Sequence, residues 1–354
     1  MGKLKTKFQF KYELLVIVLI VRAKAPFRIS FGGGGTDMAP YCVEHGGCVI
    51  STTIDHYVYI TLKRRFDDKI SVFSINLNKD ITFQIGDRDY STDFDLIKGI
   101  INLLDIKDGF DINFYSDLPA GSGMGGSSSL SVALIGALNR YYHLGMTKHE
   151  IAQKAYNIER IELKQKGGYQ DQFAAAYGGF NFIEFTDIIN LTPINASQEM
   201  INELQYRLIL CYVGGSHFSS DIQNEVLKGY KIEKKTYMEA MQDLKEVAHS
   251  MRNIIESNNL NRLNEFGELL HRGWLAKKSL STKISNKNIE NFYLTSRKFG
   301  VLGGKLLGAG GGGHLLLFSD YRKKHIVIQE LEKIGGVIVN FHFNPKGLEV
   351  WEID

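Results

Sequence analysis

The sequence has little cysteine, little net charge and no apolar run of membrane length, and each shortage removes a class of protein. Its three cysteines, Cys42, Cys48 and Cys211, are odd in number and form neither a CxxC pair nor a Cys/His ligand spacing. That pattern argues against a disulfide framework and a structural metal, and predicts buried thiols in a reducing compartment. With 42 basic and 39 acidic residues the formal net charge is +3, which gives no argument for nucleic acid as a partner. The apolar run Leu14 to Val21 is far shorter than the roughly 20 residues that cross a bilayer. The basic stretch before it and Ala23-Lys24-Ala25 after it imitate a secretory signal, but Arg22 and Lys24 lie inside the cleavage region and Pro26 would follow the cut. We therefore expect a cytoplasmic protein with no membrane partner, whose residues 1–21 are an N-terminal extension leading into a strand. No segment repeats.

What is present is organised around Leu118 to Val132, LPAGSGMGGSSSLSV. Phe110, Ile112 and Phe114 alternate with polar residues as in a strand, and Leu130 to Ile135 open an apolar helix. Between them lie glycines and serines. Glycine lets backbone N–H groups turn toward an anion, and a helix N-terminus adds unpaired N–H groups and a positive dipole end. A polyphosphate fits such a loop. The Walker lysine is missing, because Ser127 to Ser129 follow the glycines instead. A flexible Gly/Ser linker is the alternative, and the framing by strand and helix speaks against it.

Two further glycine segments bracket the chain. VRAKAPFRISFGGGGTD reads as a strand, a tight turn and a carboxylate, with Arg28 before the turn and Asp37 after it, and KLLGAGGGGHLLLF reads as strand, four glycines and strand. Cys48 to Arg65 is one strand or two, Val72 to Ile85 a hairpin, and Asp93 to Leu104 a helix. Leu130 to His143 and Thr147 to Lys164 read as helices, the second with Thr147 and Glu150 in capping-box spacing. Glu159 lies late on that helix, and Asp171 follows the paired glycines of GGYQDQFAAAYGGF. Each carboxylate alone is an ordinary solvated or capping residue. Past Pro193, Arg207 to Val213 is a buried strand, Ser219 to Asn258 one long or two shorter helices, and the tail from Tyr321 a helix and two strands. A chain of 354 residues has room for about two domains.

Together APFRISFGGGGTD, LPAGSGMGGSSS and KLLGAGGGGH, in that order, resemble the three motifs of the GHMP kinase superfamily, small-molecule kinases that include galactokinase and mevalonate kinase. The resemblance implies an α+β fold of two domains. The first, 22–192, would be the ATP-binding domain, like ribosomal protein S5; the second, 193–354, would be a ferredoxin-like α/β domain. RAKAPFRISFGGGGTD, RRFDDKI and GGYQDQFAAAYGGF are similar, within that superfamily, to bacterial D-glycero-D-manno-heptose 7-phosphate kinases. Met124 and Gly126 stand where many relatives have Leu and Ser, and His217 stands near an expected arginine.

The resemblance implies transfer of the ATP γ-phosphate to the anomeric hydroxyl of a heptose 7-phosphate, a step toward nucleotide-activated heptose for capsule or lipopolysaccharide. By the same resemblance Pro119, Gly121, Ser122, Gly123, Met124, Gly125, Gly126, Ser127 and Ser128 would hold ATP, and Ser127 with Glu159 would hold Mg²⁺. Asp171 would accept the sugar proton beside Arg28. Gly35, Thr36, Asp37, Gly168, Gly310 and Gly311 would contact the sugar. For the substrate phosphate, Lys24, Lys63, Arg64, Arg65 and His217 are candidates that the sequence does not rank. A kinase of free galactose or fucose is the alternative enzyme, and a silent sugar or nucleotide sensor the alternative class; the presence of Asp171, Glu159 and Ser127 together argues for an enzyme. A homodimer is left open.

Overall fold

A computed structural model describes residues 19–215, 219–232 and 235–353, so His217 and nearly all of the N-terminal extension lie outside the described residues. The elements of the first part are β1 (Ile20–Gly32), α1 (Tyr41–His45), β2 (Gly47–Arg64), β3 (Lys69–Ser74), β4 (Lys79–Gln84), α2 (Asp95–Leu103), β5 (Phe110–Ser116), α3 (Gly126–Tyr141), α4 (Lys148–Asn157), α5 (Gln170–Tyr177), β6 (Asn181–Phe185) and β7 (Ile189–Pro193). The second part continues with α6 (Gln198–Arg207), β8 (Leu208–Tyr212), α7 (Ser219–Lys231), α8 (Lys235–Glu256), α9 (Leu263–Ser279), α10 (Lys287–Phe299), β9 (Val301–Leu306), β10 (His314–Ser319) and α11 (Lys324–Lys333). Three short strands follow, β11 (Val337–Val339), β12 (Phe343–Asn344) and β13 (Glu349–Ile353).

The long antiparallel pair of β1 and β2 is the spine of the first sheet, whose main path runs β13-β1-β2-β5-β3-β4. The segment Cys48 to Arg65 is thus one strand, with different partners along its length: Gly47 to Ser51 pair with β6, Thr53 and Ile54 with β12, and Val58 to Arg64 with β5. The burial of β1 changes halfway. From Val21 to Ala25 buried and more exposed residues alternate, as on a sheet with one covered face; from Pro26 to Gly32 every residue is buried. The first stretch packs under α2, α3 and α4, through residues such as Val132, Ile135 and Ala155. The second stretch has the other part of the chain on its far side.

That other part is a four-stranded sheet in the order β11-β8-β10-β9, all antiparallel, with helices against it. Phe27, Ile29 and Phe31 of β1 enter one core with Val247 and Met251 of α8, Leu270 of α9 and Phe318 of β10. Strand pairing does not follow a division at residue 192. Phe343 pairs with Ile54, and Ile20 pairs with Ile353, so the last strands complete the first sheet.

Other local readings shift in detail. The helix after the glycine loop begins at Gly126, not at Leu130, because the glycine in the left-handed region at Gly125 turns the chain directly into it. The capping box of Thr147 and Glu150 is formed. The helix it starts ends as α-helix at Asn157 and closes with one π-helical turn, Ile158–Glu162, which carries Glu159. Ser219 to Asn258 is two helices. Cys42, Cys48 and Cys211 are free and buried, and burial pushes each thiol up to about 12. Among the described residues no helix is long and apolar enough to cross a membrane.

The tail is held by more than strand pairing. Leu348 packs against the first core, and a Cβ on Gly136 of α3 would come within 2.6 Å of it. Leu348→Ala should lower the unfolding free energy by about 2 kcal/mol, the lower end of the Leu→Ala range because the site is only half-buried. A urea midpoint equal to that of the unchanged chain would show that the tail does not stabilise the first sheet.

Candidate active site

Beyond Pro26, strand alternation sends Phe27, Ile29 and Phe31 into the shared core and Arg28 and Ser30 to a pocket on the opposite side. The turn that follows is fixed by Thr36. Its buried hydroxyl donates to the carbonyls of Gly33 (2.7 Å) and Cys48 (3.0 Å) and accepts from Cys48 N–H (3.1 Å). Thr36 therefore holds the turn and does not line the pocket, contrary to its expected place on the sugar. Gly33 cannot be replaced: φ is +82° and a Cβ would lie 1.9 Å from the Cys48 carbonyl oxygen. The turn delivers Asp37 into the pocket. Its carboxylate accepts from the N–H groups of Gly35 (3.0 Å) and Gln170 (3.1 Å) and from the Gln170 amide (3.3 Å). Burial raises the Asp37 carboxyl, and the two backbone N–H groups pull it back. Gly168 is pressed against this carboxylate so closely that no side chain fits between.

Asp171 sits in the first turn of α5, where Arg28 Nε donates to its Oδ1 at 2.7 Å. Arg28 also donates from Nη1 to Gly123 O (2.9 Å) and from its backbone N–H to Met124 O (3.1 Å), so one residue ties β1, the central glycine loop and α5 together. Within that loop Ser122 and Met124 are buried, Gly123, Gly125 and Gly126 half-buried, and Pro119, Gly121 and Ser127 exposed. The loop ends at Gly125, the N-cap of α3, and no side chain caps that helix. Its first-turn N–H groups are left for a ligand.

Glu159 is buried behind the start of α3. Its Oε2 accepts from Ser128 (3.2 Å) and its Oε1 from Ser131 (3.2 Å) and Gln172 (3.0 Å). Burial raises its pKa, opposed first by Arg160 and then by the hydrogen bonds of Gln172 and Ser128. Of the two residues expected as a metal pair, Ser127 is exposed and does not touch Glu159; the neighbouring Ser128 does. Among the described residues there is no cluster of three or more acidic, His or Cys side chains that could hold a metal by itself.

The second part of the chain supplies the remaining wall. Lys277 of α9 bonds the Gly308 carbonyl, and Lys305 of β9 donates to Ser30 O (2.8 Å) and Phe31 O (3.3 Å). The glycine segment after β9 lies backbone against backbone on the central loop: a Cβ on Gly308 would be 2.6 Å from Gly123 Cα, and one on Gly313 2.8 Å from Ser122 O. The buried His314 ring is 2.8 Å from Ser122 O, across the same seam. Gly308 and Ala309 line the pocket. Gly310 and Gly311 instead dock on the turn at Ile284 and Asn286, through Gly311 N–H to Ile284 O (2.9 Å) and Asn286 to Gly311 O (3.1 Å).

The pocket's charged lining is Arg28, Arg160, Lys277 and Lys305 against Asp37 and Asp171. Sequence reasoning missed three of these cations. Lys305 was visible inside the third glycine motif and Arg160 beside Glu159, but nothing in the sequence separates Lys277 from other helical lysines. The basic candidates named for the phosphate lie elsewhere. Arg64 pairs with Asp108 (2.7 Å), Arg65 with Asp67 (2.7 Å) and Asp111 (2.6 Å), and Lys24 with Glu349 (3.1 Å). Arg28 is opposite Thr53 in the β1–β2 register, so Arg64 stands eleven residues along the same strand, about 36 Å away. None of these, nor Lys63, lines the pocket.

Comparison with known proteins agrees with this geometry. Residues 95–179 match the GHMP kinases N terminal domain, and residues 238–336 match GHMP kinases C terminal. The chain is 35% identical to D-glycero-alpha-D-manno-heptose 7-phosphate kinase of Campylobacter jejuni, over 94% of this chain and 99% of that one. It is 25% identical to the bifunctional fucokinase/GDP-fucose pyrophosphorylase of Arabidopsis thaliana, over 88% of this chain but 31% of that one. The crystal structure of a D-glycero-D-manno-heptose 1-phosphate kinase from Bacteroides thetaiotaomicron superposes with a TM-score of 0.78 at 27% identity, covering 94% of this chain and 99% of that one. With both family domains in order, and a relative matched along nearly its whole length, the chain belongs to the GHMP kinases.

Proposed function

We propose that this enzyme transfers the γ-phosphate of ATP to the anomeric hydroxyl of D-glycero-D-manno-heptose 7-phosphate, giving the 1,7-bisphosphate. The observation that carries the reading is the Arg28–Asp171 pair, set between the uncapped start of α3 and a pocket with four cations for two carboxylates. Such a lining suits anionic guests, and the transferred phosphate of ATP and a sugar phosphate are both of that kind. The likeness to the Campylobacter jejuni kinase supports the same substrate class.

Phosphoryl transfer needs chiefly alignment and neutralised charge. Asp171 accepts the proton of the attacking hydroxyl, and Arg28, fixed through Gly123 and Met124, sets the direction of the accepting oxygen. The N–H groups of Gly121 to Ser128 receive the ATP phosphates. Asp37 orients the sugar through its hydroxyls. Mg²⁺ fits the corner behind the loop, since a hard cation takes oxygen ligands and commonly one carboxylate plus phosphates, and Glu159 is a buried carboxylate beside a serine hydroxyl. Glu159 with the hydroxyls of Ser127 and Ser128 would hold it. There it would neutralise charge between the transferred phosphate and its leaving group.

Three measurements test the reading. Asp171→Asn should fold and bind ATP but lose about 10²–10⁴-fold in kcat, the usual contribution of a general base; near-normal turnover would remove Asp171 from the chemistry. Heptose 7-phosphate should exceed the unphosphorylated heptose in kcat/KM by at least about 10²-fold, or roughly 2.7 kcal/mol. Equal values, or a preference for free fucose or galactose, would move the enzyme to a free-sugar kinase. The third concerns Lys277, whose pKa is lowered to about 8 by burial and then by Arg28. A lowered ammonium is lost as pH rises through about 8, so kcat/KM should fall there. Lys277→Arg, which stays protonated, should keep its rate to higher pH. An alkaline limb identical in both proteins would exclude Lys277 as its source.

A further inference from the structure

Arg160 stands out among the pocket's cations. Its side chain is only 12% exposed, yet among the described residues the guanidinium donates no hydrogen bond. Glu159 Oε2 is its charged neighbour, 3.4 Å from Nη1, beyond a hydrogen bond, and the buried Nε has no partner. A buried guanidinium N–H left without an acceptor, on a side chain whose one charged neighbour is a carboxylate at 3.4 Å, is costly unless a ligand takes it. Neutral groups of the same pocket share the condition. Ser30 Oγ, Gln170 Oε1 and Gln223 Oε1 are buried, line it and have no partner among the described residues. Together they describe a guest with several hydroxyls and one anionic group.

The segment Gly167 to Asp171 gives the order of these features. A Cβ on Gly167 would strike the Arg160 guanidinium at 2.5 Å, Gly168 abuts the Asp37 carboxylate, Gln170 bonds Asp37, and Asp171 holds Arg28 beside the central glycine loop. Base, hydroxyl acceptor and the Glu159-neighbouring cation thus follow one another along Gly167 to Asp171, whose Cα atoms span at most about 14 Å. A sugar with its reacting hydroxyl at Asp171 extends past Asp37 toward Arg160. We infer that Arg160 binds the non-transferred phosphate of the sugar substrate and sets the enzyme's preference for a phosphorylated sugar. Its fork meets two phosphate oxygens at once, which a lysine does not. This inference rests on the sugar-phosphate reading above.

The test is a ratio. For the wild-type enzyme, Arg160→Gln and Arg160→Lys, kcat/KM is measured with heptose 7-phosphate and with the unphosphorylated heptose, and the affinity for heptose 7-phosphate without nucleotide is measured by calorimetry. The preference for the phosphorylated sugar should fall at least about tenfold in Arg160→Gln and by less in Arg160→Lys, which keeps a point charge. Nucleotide-free affinity should weaken in the same order. A loss that falls equally on both sugars, with affinity for heptose 7-phosphate kept, would overturn the inference and assign Arg160 to the phosphate in transfer beside Glu159. An unchanged ratio in both variants would overturn it as well. If Arg160→Gln does not fold, Arg160→Lys with a wild-type ratio and affinity is sufficient to reject it. No preference in the wild-type enzyme would overturn the sugar-phosphate reading itself, and the inference with it.

Discussion

Everything in this molecule depends on the second half of β1 being covered on both faces. Phe27, Ile29 and Phe31 on one side of the strand enter the core shared with α8, α9 and β10, while Arg28 and Ser30 on the other reach the pocket. A strand with a period of two can serve both sides only when neither is solvent. Burial of the aromatic face, on the order of 1.5–3 kcal/mol per large apolar side chain, offsets the cost of fixing a guanidinium in a site with little water. Arg28 then orders the loop through Gly123 and Met124 and holds the Asp171 carboxylate, the proposed base, beside it. The geometry of the pocket is an outgrowth of the core.

Much of this was legible in the chain. The strand, glycine loop and helix around Leu118 to Val132 announce themselves by composition and period, and the three glycine segments identify the family. Asp171, Arg28 and Asp37 are named through the family resemblance of the segments that hold them, and the structure brings all three to one pocket. What stayed hidden depends on distance in space. Arg64 and Arg65 look like a phosphate site in sequence, but strand register carries them to the far end of β2, where nearby carboxylates already pair them. Lys277 looks like any lysine of an amphipathic helix until α9 is placed against the third glycine segment. Thr36 sits beside Asp37 in sequence, but its hydroxyl is turned back to the carbonyls of Gly33 and Cys48, which no feature of the sequence shows.

The electrostatics of the pocket describe a protein prepared for a guest. Burial drives Lys277 and Lys305 down and Asp37 and Glu159 up, each toward its neutral form. An arriving polyphosphate reverses the first pair, because an anion near a buried lysine favours the ammonium. Binding and protonation are therefore coupled, and the charge that neutralises the transferred group is assembled in part by the substrates themselves.

The pairing of β13 with β1 has an outcome in time as well as in space. Ile20 finds Ile353 across the sheet, a separation of 353 − 20 = 333 residues. Contacts so remote in sequence slow folding, because a large loop must close before they form. During synthesis β1 leaves the ribosome early and waits with one edge open, while its shared core and its flanking strand are still untranslated. Domain-by-domain folding, the usual route for a chain of this length, would leave the first sheet without β12 and β13, its β1 edge unpaired and open to pairing with another chain until those strands arrive.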